Sequence, residues 1–150
     1  MRLVWRQNDH DKDIVFAFRP GVEPHAGSKL LKPVPKKMRD ICVRLLNLGG
    51  NFVVCYLDKE SPFKILSPGV WESGKLITPK KIRRKRGESN LCVDNSMELC
   101  RSNPEKYAFA IGWGLNDECW RPHAWVMDVE GNVIETTEPR EKYYGISFKL

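Results

Sequence analysis

His123-Ala-Trp-Val-Met-Asp128 and Asn132-Val-Ile-Glu-Thr136, joined by Val129-Glu-Gly131, are the stretches that decide the fold of this chain. Both longer stretches are rich in apolar, aromatic and β-branched residues, which favour strands. The short connection between them contains glycine and is typical of a tight turn. Together they predict a β-hairpin near the C-terminal end of the chain.

The length of the hairpin turn decides whether Glu135 can reach His123. A two-residue turn at 130–131 would put Glu135 on the face opposite His123. A three-residue turn with Gly131 in a left-handed conformation would pair Glu135 with Trp125 instead. In that register Glu135 lies diagonally next to His123, roughly 7–8 Å away between backbones, a distance that side chains can span. The position of the glycine favours the three-residue turn.

The rest of the chain predicts two helices and several more strands. Apolar residues at helical spacing indicate helices over 36–48 and 91–101. Strands are expected at 13–18, 51–57, 75–78, 107–111 and 143–148, the last of them at an edge. Gly112-Trp-Gly114 should end the fourth of these strands. We therefore expect an α+β fold, in which an antiparallel sheet packs on the helix whose N-terminus carries Cys92.

Length and composition indicate one globular domain spanning 1–150. Of the 150 residues, 41% are hydrophobic and 29% are charged, which is enough apolar sequence to bury a core. No apolar stretch is long enough to cross a membrane, and the N-terminus lacks the apolar segment of a secretory signal. A cytoplasmic protein is therefore expected. Prolines and glycines interrupt residues 59–90, which indicates a long excursion from the core.

Cys92 differs from the other four cysteines because it lies at the predicted start of a helix. An odd number of cysteines, without the spacing of a small secreted domain, indicates free thiols. Backbone N–H groups at a helix N-terminus favour a thiolate and can stabilise an oxyanion. Asn90 or Asn95 would supply a neighbouring donor. For Cys92 taken alone, a buried structural thiol is the ordinary interpretation.

His123 and Glu135 complete a set of groups that can perform nucleophilic catalysis with Cys92. An imidazole next to a thiol accepts its proton, and a carboxylate on the other ring nitrogen fixes the tautomer of the imidazole. If the hairpin register puts Glu135 on the wrong face, Asp117 and Asp128 are the alternative acids. Without any acid the site reduces to a dyad.

Residues 90–148 resemble the core of transglutaminase-like and papain-like cysteine enzymes. The resemblance is carried by Cys92-Val-Asp-Asn95, Pro122-His-Ala-Trp-Val-Met-Asp128 and Gly131-Asn-Val-Ile-Glu-Thr-Thr137. In that family the cysteine is on a helix, the histidine on a strand and the acid on the next strand. The pattern is also similar to short bacterial and phage proteins that end in a segment like Tyr143-Tyr-Gly145.

The resemblance implies a cysteine-dependent acyl-transfer enzyme, a peptidase or amidase, acting on a protein or peptide-like amide. It implies Cys92 as nucleophile, His123 as base and Glu135 as the orienting acid, and it requires no cofactor. The family acid is usually Asp in an Asp-Pro-Thr step, whereas this chain has Glu135 followed by two threonines. The interval from Cys92 to His123 is short and indicates a minimal catalytic core. Hydrolysis and transfer to an amine both stay open.

The residues alone leave two other functions possible, a zinc site and the binding of nucleic acid or an acidic partner. Cys119 and His123, with Cys92 or Cys100, have donor atoms that bind zinc, but a second close pair of ligands is missing. The stronger rival is the basic run over 79–86, which can bind nucleic acid or an acidic partner, or simply form a solvated mobile loop. The basic run contains Lys80, Lys81, Arg83, Arg84, Lys85 and Arg86. Without turnover, the chain would be a basic nucleic-acid-binding or host-interaction protein.

Overall fold

This computed structural model describes residues 1–7, 13–22, 34–56 and 72–150. In chain order the elements are β1 (Arg2–Gln7), β2 (Asp13–Phe18), α1 (Lys36–Leu48), β3 (Phe52–Tyr56), β4 (Lys75–Ile77), β5 (Ile82–Arg84), α2 (Cys92–Ser102), β6 (Tyr107–Asn116), β7 (Cys119–Asp128), β8 (Val133–Glu135) and β9 (Lys142–Phe148). Both predicted helices are present close to their expected bounds. Within the described ranges, no helix is long and apolar enough to cross a membrane.

Nine strands of the described residues form one mixed sheet. Their order is β1-β2-β3-β7-β6-β9-β4, with β8 attached to β7 and β5 attached to β8. The β3–β7 and β5–β8 pairs are parallel, and the other pairs are antiparallel. The prediction of an α+β fold, with an antiparallel sheet packed on the Cys92 helix, is therefore wrong. The sheet dominates the described part of the chain, where α1 and α2 are short.

The sheet is larger than predicted partly because β6 continues through the glycines that were expected to end it. Gly112 pairs with Gly145 across β6 and β9. A Cβ on Gly112 would lie 2.0 Å from the carbonyl oxygen of Tyr144, so the backbones are too close there for any side chain. The glycines thus permit close pairing, and β9 lies between β6 and β4 instead of at an edge.

Alternation along β7 separates two apolar clusters. Ala124 and Val126 belong to the larger core, which also contains the buried residues of α1. Those residues of α1 are Met38, Ile41, Cys42, Leu45 and Leu46. Trp125 belongs instead to a smaller cluster with Ala110, Val133 and Tyr143. His123 stacks on Trp125, with ring centroids 5.9 Å apart, so the histidine lies next to the smaller cluster.

One edge of β7 is interrupted. β6 pairs with the whole of Cys119–Asp128, so β3 and β8 must share the opposite edge. β3 pairs only with the first two residues of β7, and β8 only with residues 126–127. In the part of the chain that is described, residues 121–125 therefore have no strand on that edge. The start of α2 lies near this gap, because Cys92 lines the same cavity as Pro122 and His123.

The predicted excursion over 59–90 is described only from residue 72 onward, and its earlier part lies outside the described residues. In the described part, Lys75–Ile77 pair with β9 and Ile82–Arg84 pair with β8. Both segments are therefore continuous with the sheet. The basic run accordingly contains a hydrogen-bonded strand.

Candidate active site

Cys92 is the first residue of α2 and lines a cavity of about 390 Å³ together with His123. Asn90, two residues earlier, has a φ of 62°, a left-handed conformation that asparagine tolerates better than most residues. Cys92 is half-buried, whereas the other four cysteines are buried. The predicted position of this cysteine at a helix start is confirmed, and it is the most accessible thiol of the five.

The hairpin between β7 and β8 has the three-residue turn that the glycine position favoured. The two strands pair in the register that puts Trp125 opposite Glu135. Gly131 is left-handed, with a φ of 87°, and its N–H donates to the carbonyl oxygen of Asp128. As a result, Glu135 lies on the same face as His123.

The carboxylate of Glu135 is held by hydrogen bonds on several sides. His123 Nε2 lies 3.0 Å from Oε1 and 3.0 Å from Oε2, and both side chains are almost completely buried. The hydroxyl of Tyr143 donates to Oε2 over 2.8 Å. Thr137 donates to Oε1 through its backbone N–H at 3.4 Å and its hydroxyl at 3.3 Å. A buried carboxylate needs such partners, and here they also fix its orientation.

Burial and neighbouring charges make His123 neutral and Glu135 ionised at neutral pH. Burial lowers the pKa of His123, and the charge of Arg140 lowers it further, against the opposing effect of Glu135. Burial raises the pKa of Glu135, but hydrogen bonds from His123 and Tyr143 outweigh it, and the net pKa is lowered. The charge of Arg140 contributes to that lowering. The pair is thus a hydrogen bond in which Nε2–H donates to the carboxylate, which leaves Nδ1 as an acceptor.

Arg140 occupies the other side of the imidazole. Its Nη2 is 3.4 Å from His123 Nδ1, and its Nη1 donates to the carbonyl oxygen of Glu138. Its backbone N–H donates to the hydroxyl of Tyr143 over 3.0 Å. Gly114 leaves room for the arginine, because a Cβ on that glycine would lie 2.5 Å from Arg140 Cγ. A guanidinium is therefore held at the ring nitrogen that would receive a thiol proton.

Burial raises the pKa of the Cys92 thiol. Backbone hydrogen bonds from Ala124 and Val93 and the charge of Arg140 lower this pKa, but they do not outweigh burial, and the charge of Glu135 adds to the increase. The thiol is therefore protonated at neutral pH. The helix N-terminus alone does not produce the thiolate that the sequence position suggested.

No family model, curated protein or solved structure matches this chain. The resemblance of residues 90–148 to transglutaminase-like and papain-like enzymes therefore stays a prediction.

The two predicted oxyanion donors differ in position. Asn90 lines the cavity with Cys92. Asn95 donates its amide to the carbonyl oxygen of Glu88 over 2.7 Å and accepts from the Glu88 N–H over 3.3 Å. It also packs on Gly87, where a Cβ would lie 2.4 Å from the Asn95 side chain. Asn95 thus fixes the loop before α2, and Asn90 is the one of the two that borders the cavity.

Part of the basic run forms a wall of the cavity. Arg84 and Arg86 line it, next to the end of β8. Arg84 Nη2 is 2.6 Å from a carboxylate oxygen of Glu138, and its Nε donates to the carbonyl oxygen of Thr137 over 3.1 Å. The other four cations of the run are exposed and do not line this cavity. The structure therefore brings two of the six predicted basic residues to the cavity.

The alternative acids Asp117 and Asp128 lie at turns, and the predicted zinc ligand Cys119 is buried against its own strand. Asp128 accepts the N–H groups of Glu130 and Asn132 and so closes the hairpin turn. Asp117 lies in the β6–β7 turn with a φ of 49°. Cys119 is buried, and its sulfur contacts the backbone of the next residue. Among the described residues, no group of three His, Cys, Asp or Glu side chains is placed to hold a metal ion.

Sequence reasoning missed Arg140 and Tyr143, both of which contact the His123–Glu135 pair. Tyr143 belongs to the aromatic segment of β9. Alternation along a strand predicts which residues of that strand share a face, but it does not predict which other strand lies beside them. The missing information was that β9 pairs with β6, which brings Tyr143 next to Gly114. Arg140 lies in an irregular connection between β8 and β9, where no periodicity indicates its direction.

Proposed function

We propose that this protein is a cysteine-dependent acyl-transfer enzyme of the peptidase or amidase class, with Cys92 as nucleophile, His123 as base and Glu135 as the orienting acid. The observation that carries the proposal is the hydrogen bonding of His123 Nε2 to both Glu135 oxygens at 3.0 Å, beside a cavity shared with Cys92. Burying an imidazole and a carboxylate is costly, and a half-buried thiol at a helix start that lines the same cavity as the imidazole supplies the nucleophile that such a pair can activate.

The reaction begins when the Cys92 sulfur attacks the carbonyl carbon of an amide and its proton moves to His123 Nδ1. The new C–S bond gives a tetrahedral oxyanion. Collapse of this intermediate breaks the C–N bond, and the proton on Nδ1 passes to the departing amine. Water then attacks the thioester with His123 as base, the C–S bond breaks, and Cys92 regains its proton. An amine in place of water would give transfer instead of hydrolysis.

Protonation states support proton transfer during the attack rather than before it. The pKa of Cys92 is raised by burial, and that of His123 is lowered by burial and by Arg140. A neutral thiol and a neutral imidazole are therefore the resting forms. Glu135 stabilises the imidazolium that forms transiently, and it holds the tautomer in which Nδ1 accepts the proton.

The start of α2 supplies donors for the oxyanion. No side chain caps this helix, and the first N–H groups of a helix have no intrahelical acceptor. Asn90 borders the same cavity. We assign oxyanion stabilisation to the Cys92 N–H and the Asn90 amide, each worth about 2.7–4 kcal/mol if they act as such donors do in other enzymes.

A peptide library tests the proposed activity. Wild type, Cys92→Ala and Cys119→Ala are incubated with peptides blocked at both termini, and products are identified by mass spectrometry. We expect amide cleavage by wild type and Cys119→Ala, none by Cys92→Ala, and an acid-trapped thioester on Cys92. Added methylamine separates the two reactions, because transfer yields a methylamide. Equal products with Cys92→Ala, or neither products nor adduct with wild type, would overturn the proposal.

Exposed cations support a second candidate function, the binding of nucleic acid. Among the described residues, Arg84 is the one member of the run with a carboxylate within 4 Å. Exposed lysines and arginines in a row neutralise phosphates in a salt-dependent manner. The variant to test replaces four residues with Gln: Lys80, Lys81, Arg83 and Lys85. Fluorescence anisotropy with RNA and DNA at low and high salt should show weaker binding by the variant. Wild-type affinity in the variant, or no binding by the wild type, would exclude this function.

A further inference from the structure

The cavity beside Cys92 carries an excess of positive charge. Three guanidinium groups line it, those of Arg84, Arg86 and Arg140, whereas Glu138 is the one carboxylate among its described lining residues. Arg84 is 2.6 Å from that carboxylate. Arg86 and Arg140 have no acidic group within 4 Å in the described part of the chain. Two cations that line the cavity with Cys92 and His123 therefore have no acidic partner among the described residues.

Backbone hydrogen bonds hold Arg86 at the cavity. The N–H of Lys85 donates to the carbonyl oxygen of Glu135 over 2.8 Å, and the N–H of Gly87 donates to that of Thr136 over 2.9 Å. The segment on either side of Arg86 is thus tied to the end of β8, next to the residue that orients the base. Its side chain has no hydrogen bond to any described residue.

Thr136 fixes the wall of the cavity on which Arg86 lies. This residue is almost completely buried and lines the cavity, and its carbonyl oxygen accepts the N–H of Gly87 over 2.9 Å. Its hydroxyl oxygen is inaccessible to solvent and offers no donor to a ligand in the cavity. This wall therefore presents the guanidinium of Arg86, with that of Arg140 next to His123.

We propose that Arg86 and Arg140 bind a carboxylate of the substrate, so that the enzyme acts on amides with an acidic group next to the reacting carbonyl. This inference rests on the proposed function. A guanidinium matches a carboxylate through two parallel N–H donors, which makes such recognition both strong and directional. The carboxylate belongs either to the acyl residue or to the leaving group, and both sources have the same chemistry.

Carboxylate binding also has a consequence for the base. In the free protein, Arg140 Nη2 lies 3.4 Å from His123 Nδ1, the atom that must accept the thiol proton. A substrate carboxylate competes for this guanidinium and neutralises its charge. Nδ1 is then available to the thiol, and the imidazolium that forms is no longer next to an unbalanced cation. An acidic substrate would thus make Nδ1 of His123 a better proton acceptor than a neutral substrate does.

Peptidyl vinyl sulfones test the inference, because they form a thioether with a nucleophilic cysteine without any leaving group. One pair of probes carries Glu or Gln at the acyl residue, and a second pair carries a carboxyphenyl or phenyl group on the sulfone. Labelling rates of Cys92 are measured by mass spectrometry at physiological salt. The proteins compared are wild type, Arg86→Gln and Lys81→Gln, since Lys81 belongs to the same run and does not line the cavity.

We expect at least one carboxylate probe to label wild-type Cys92 tenfold or more faster than its neutral partner. That ratio should fall to threefold or less in Arg86→Gln and stay unchanged in Lys81→Gln. If neutral and acidic probes label Cys92 selectively and equally fast, the carboxylate site is overturned while the proposed function stands. The carboxylate site is also overturned if Lys81→Gln reduces the ratio as much as Arg86→Gln. If no probe labels Cys92 faster than the other cysteines, the catalytic thiol itself is overturned.

Discussion

In the proposed reaction, Cys92 is a proton donor and His123 a proton acceptor, and both are neutral before substrate arrives. A stable thiolate–imidazolium pair requires an imidazole that holds its proton more tightly than the thiol does. Here burial raises the pKa of Cys92 and lowers that of His123, so the opposite order holds. We therefore expect the reaction rate of Cys92 to rise with pH as the rate of an ordinary thiol does. In the proposed reaction His123 acts as the local base.

Alkylation with iodoacetamide should reveal this protonation state. We expect Cys92 to be labelled fastest, because the other four cysteines are buried. Its rate should rise about tenfold per pH unit between pH 6 and 8, since the thiolate fraction grows in that proportion below the thiol pKa. His123→Ala should lower the rate at pH 7. A rate that is constant across this range would indicate a pre-formed thiolate, and equal labelling of all five thiols would remove the case for a nucleophile.

Removing the Tyr143 hydroxyl should weaken the positioning of the base. Tyr143→Phe deletes the 2.8 Å hydrogen bond to Glu135, which helps to lower the pKa of that carboxyl. We expect kcat/KM to fall about tenfold, equivalent to about 1.4 kcal/mol, and the acid limb of its pH profile to move to higher pH. Tyr144→Phe is the control, because that hydroxyl contacts Arg44 and Gly74 instead. A uniform loss of activity without a shifted pH profile would contradict the positioning role.

Among the elements, the β7–β8 hairpin was predictable and β5 was not. The hairpin has strand-forming residues on both sides of Gly131, and local turn chemistry alone determines its register. β5 has three exposed residues within a run of cations, so no apolar alternation marks it. It forms because its backbone pairs with β8, which lies about fifty residues further along the chain. Pairing between distant strands leaves no local signal in the sequence.

Shifting the register of the hairpin should remove the acid from the site. An alanine inserted between Asn132 and Val133 moves Glu135 by one position along β8 and so to the opposite face. A glycine inserted after Val129 is the control, because that residue is 73% exposed in the turn and the insertion keeps Asp128 paired with Asn132. We expect kcat/KM to fall at least a hundredfold in the first variant and to stay nearly unchanged in the second. Circular dichroism and urea unfolding verify the fold of both variants, and a folded strand-insertion variant with full activity would refute the register argument.

A methyl group at Gly112 should destabilise the centre of the sheet. Its Cβ would meet the Tyr144 carbonyl oxygen at 2.0 Å, and backbone cannot move aside as a side chain does. We expect Gly112→Ala to lower the free energy of unfolding in urea by about 3 kcal/mol. Ser147→Ala, on an exposed position of β9, should change it by less than about 0.5 kcal/mol. Similar stabilities for the two variants would mean that β6 and β9 are not closely paired there.

At the scale of the whole molecule, the candidate site was easier to predict than the sheet that carries it. Cys92, His123 and Glu135 could be selected as candidates because few residue types perform nucleophilic catalysis, and the hairpin register predicted the observed contact between His123 and Glu135. The mixed sheet could not be predicted, since the parallel β3–β7 pair joins segments more than sixty residues apart. Arg140 was missed for the same reason, because its position depends on how β8 and β9 are placed by their neighbours.

Stability of the whole molecule should decrease in two steps as the pH falls. The pKa of His123 is below its ordinary 6.5, so the unfolded chain binds more protons than the folded one as the pH drops through that value. The pKa of Glu135 is also lowered, so the same loss recurs below its ordinary 4.5. We expect the urea concentration at the midpoint of unfolding to begin its first decrease below about pH 6.5. His123→Gln should lack this first step, and an identical pH profile in the variant would contradict the burial of a neutral histidine.

The interrupted edge of β7 determines from which side Cys92 can be reached. β6 braces the strand along its full length, but on the other side β3 and β8 hold only its two ends. Cys92, at the start of α2, lines the same cavity as Pro122 and His123 of the stretch that these two strands leave free. Among the described residues no strand covers that stretch, so we expect the substrate of the proposed reaction to approach Cys92 along this open edge of the sheet.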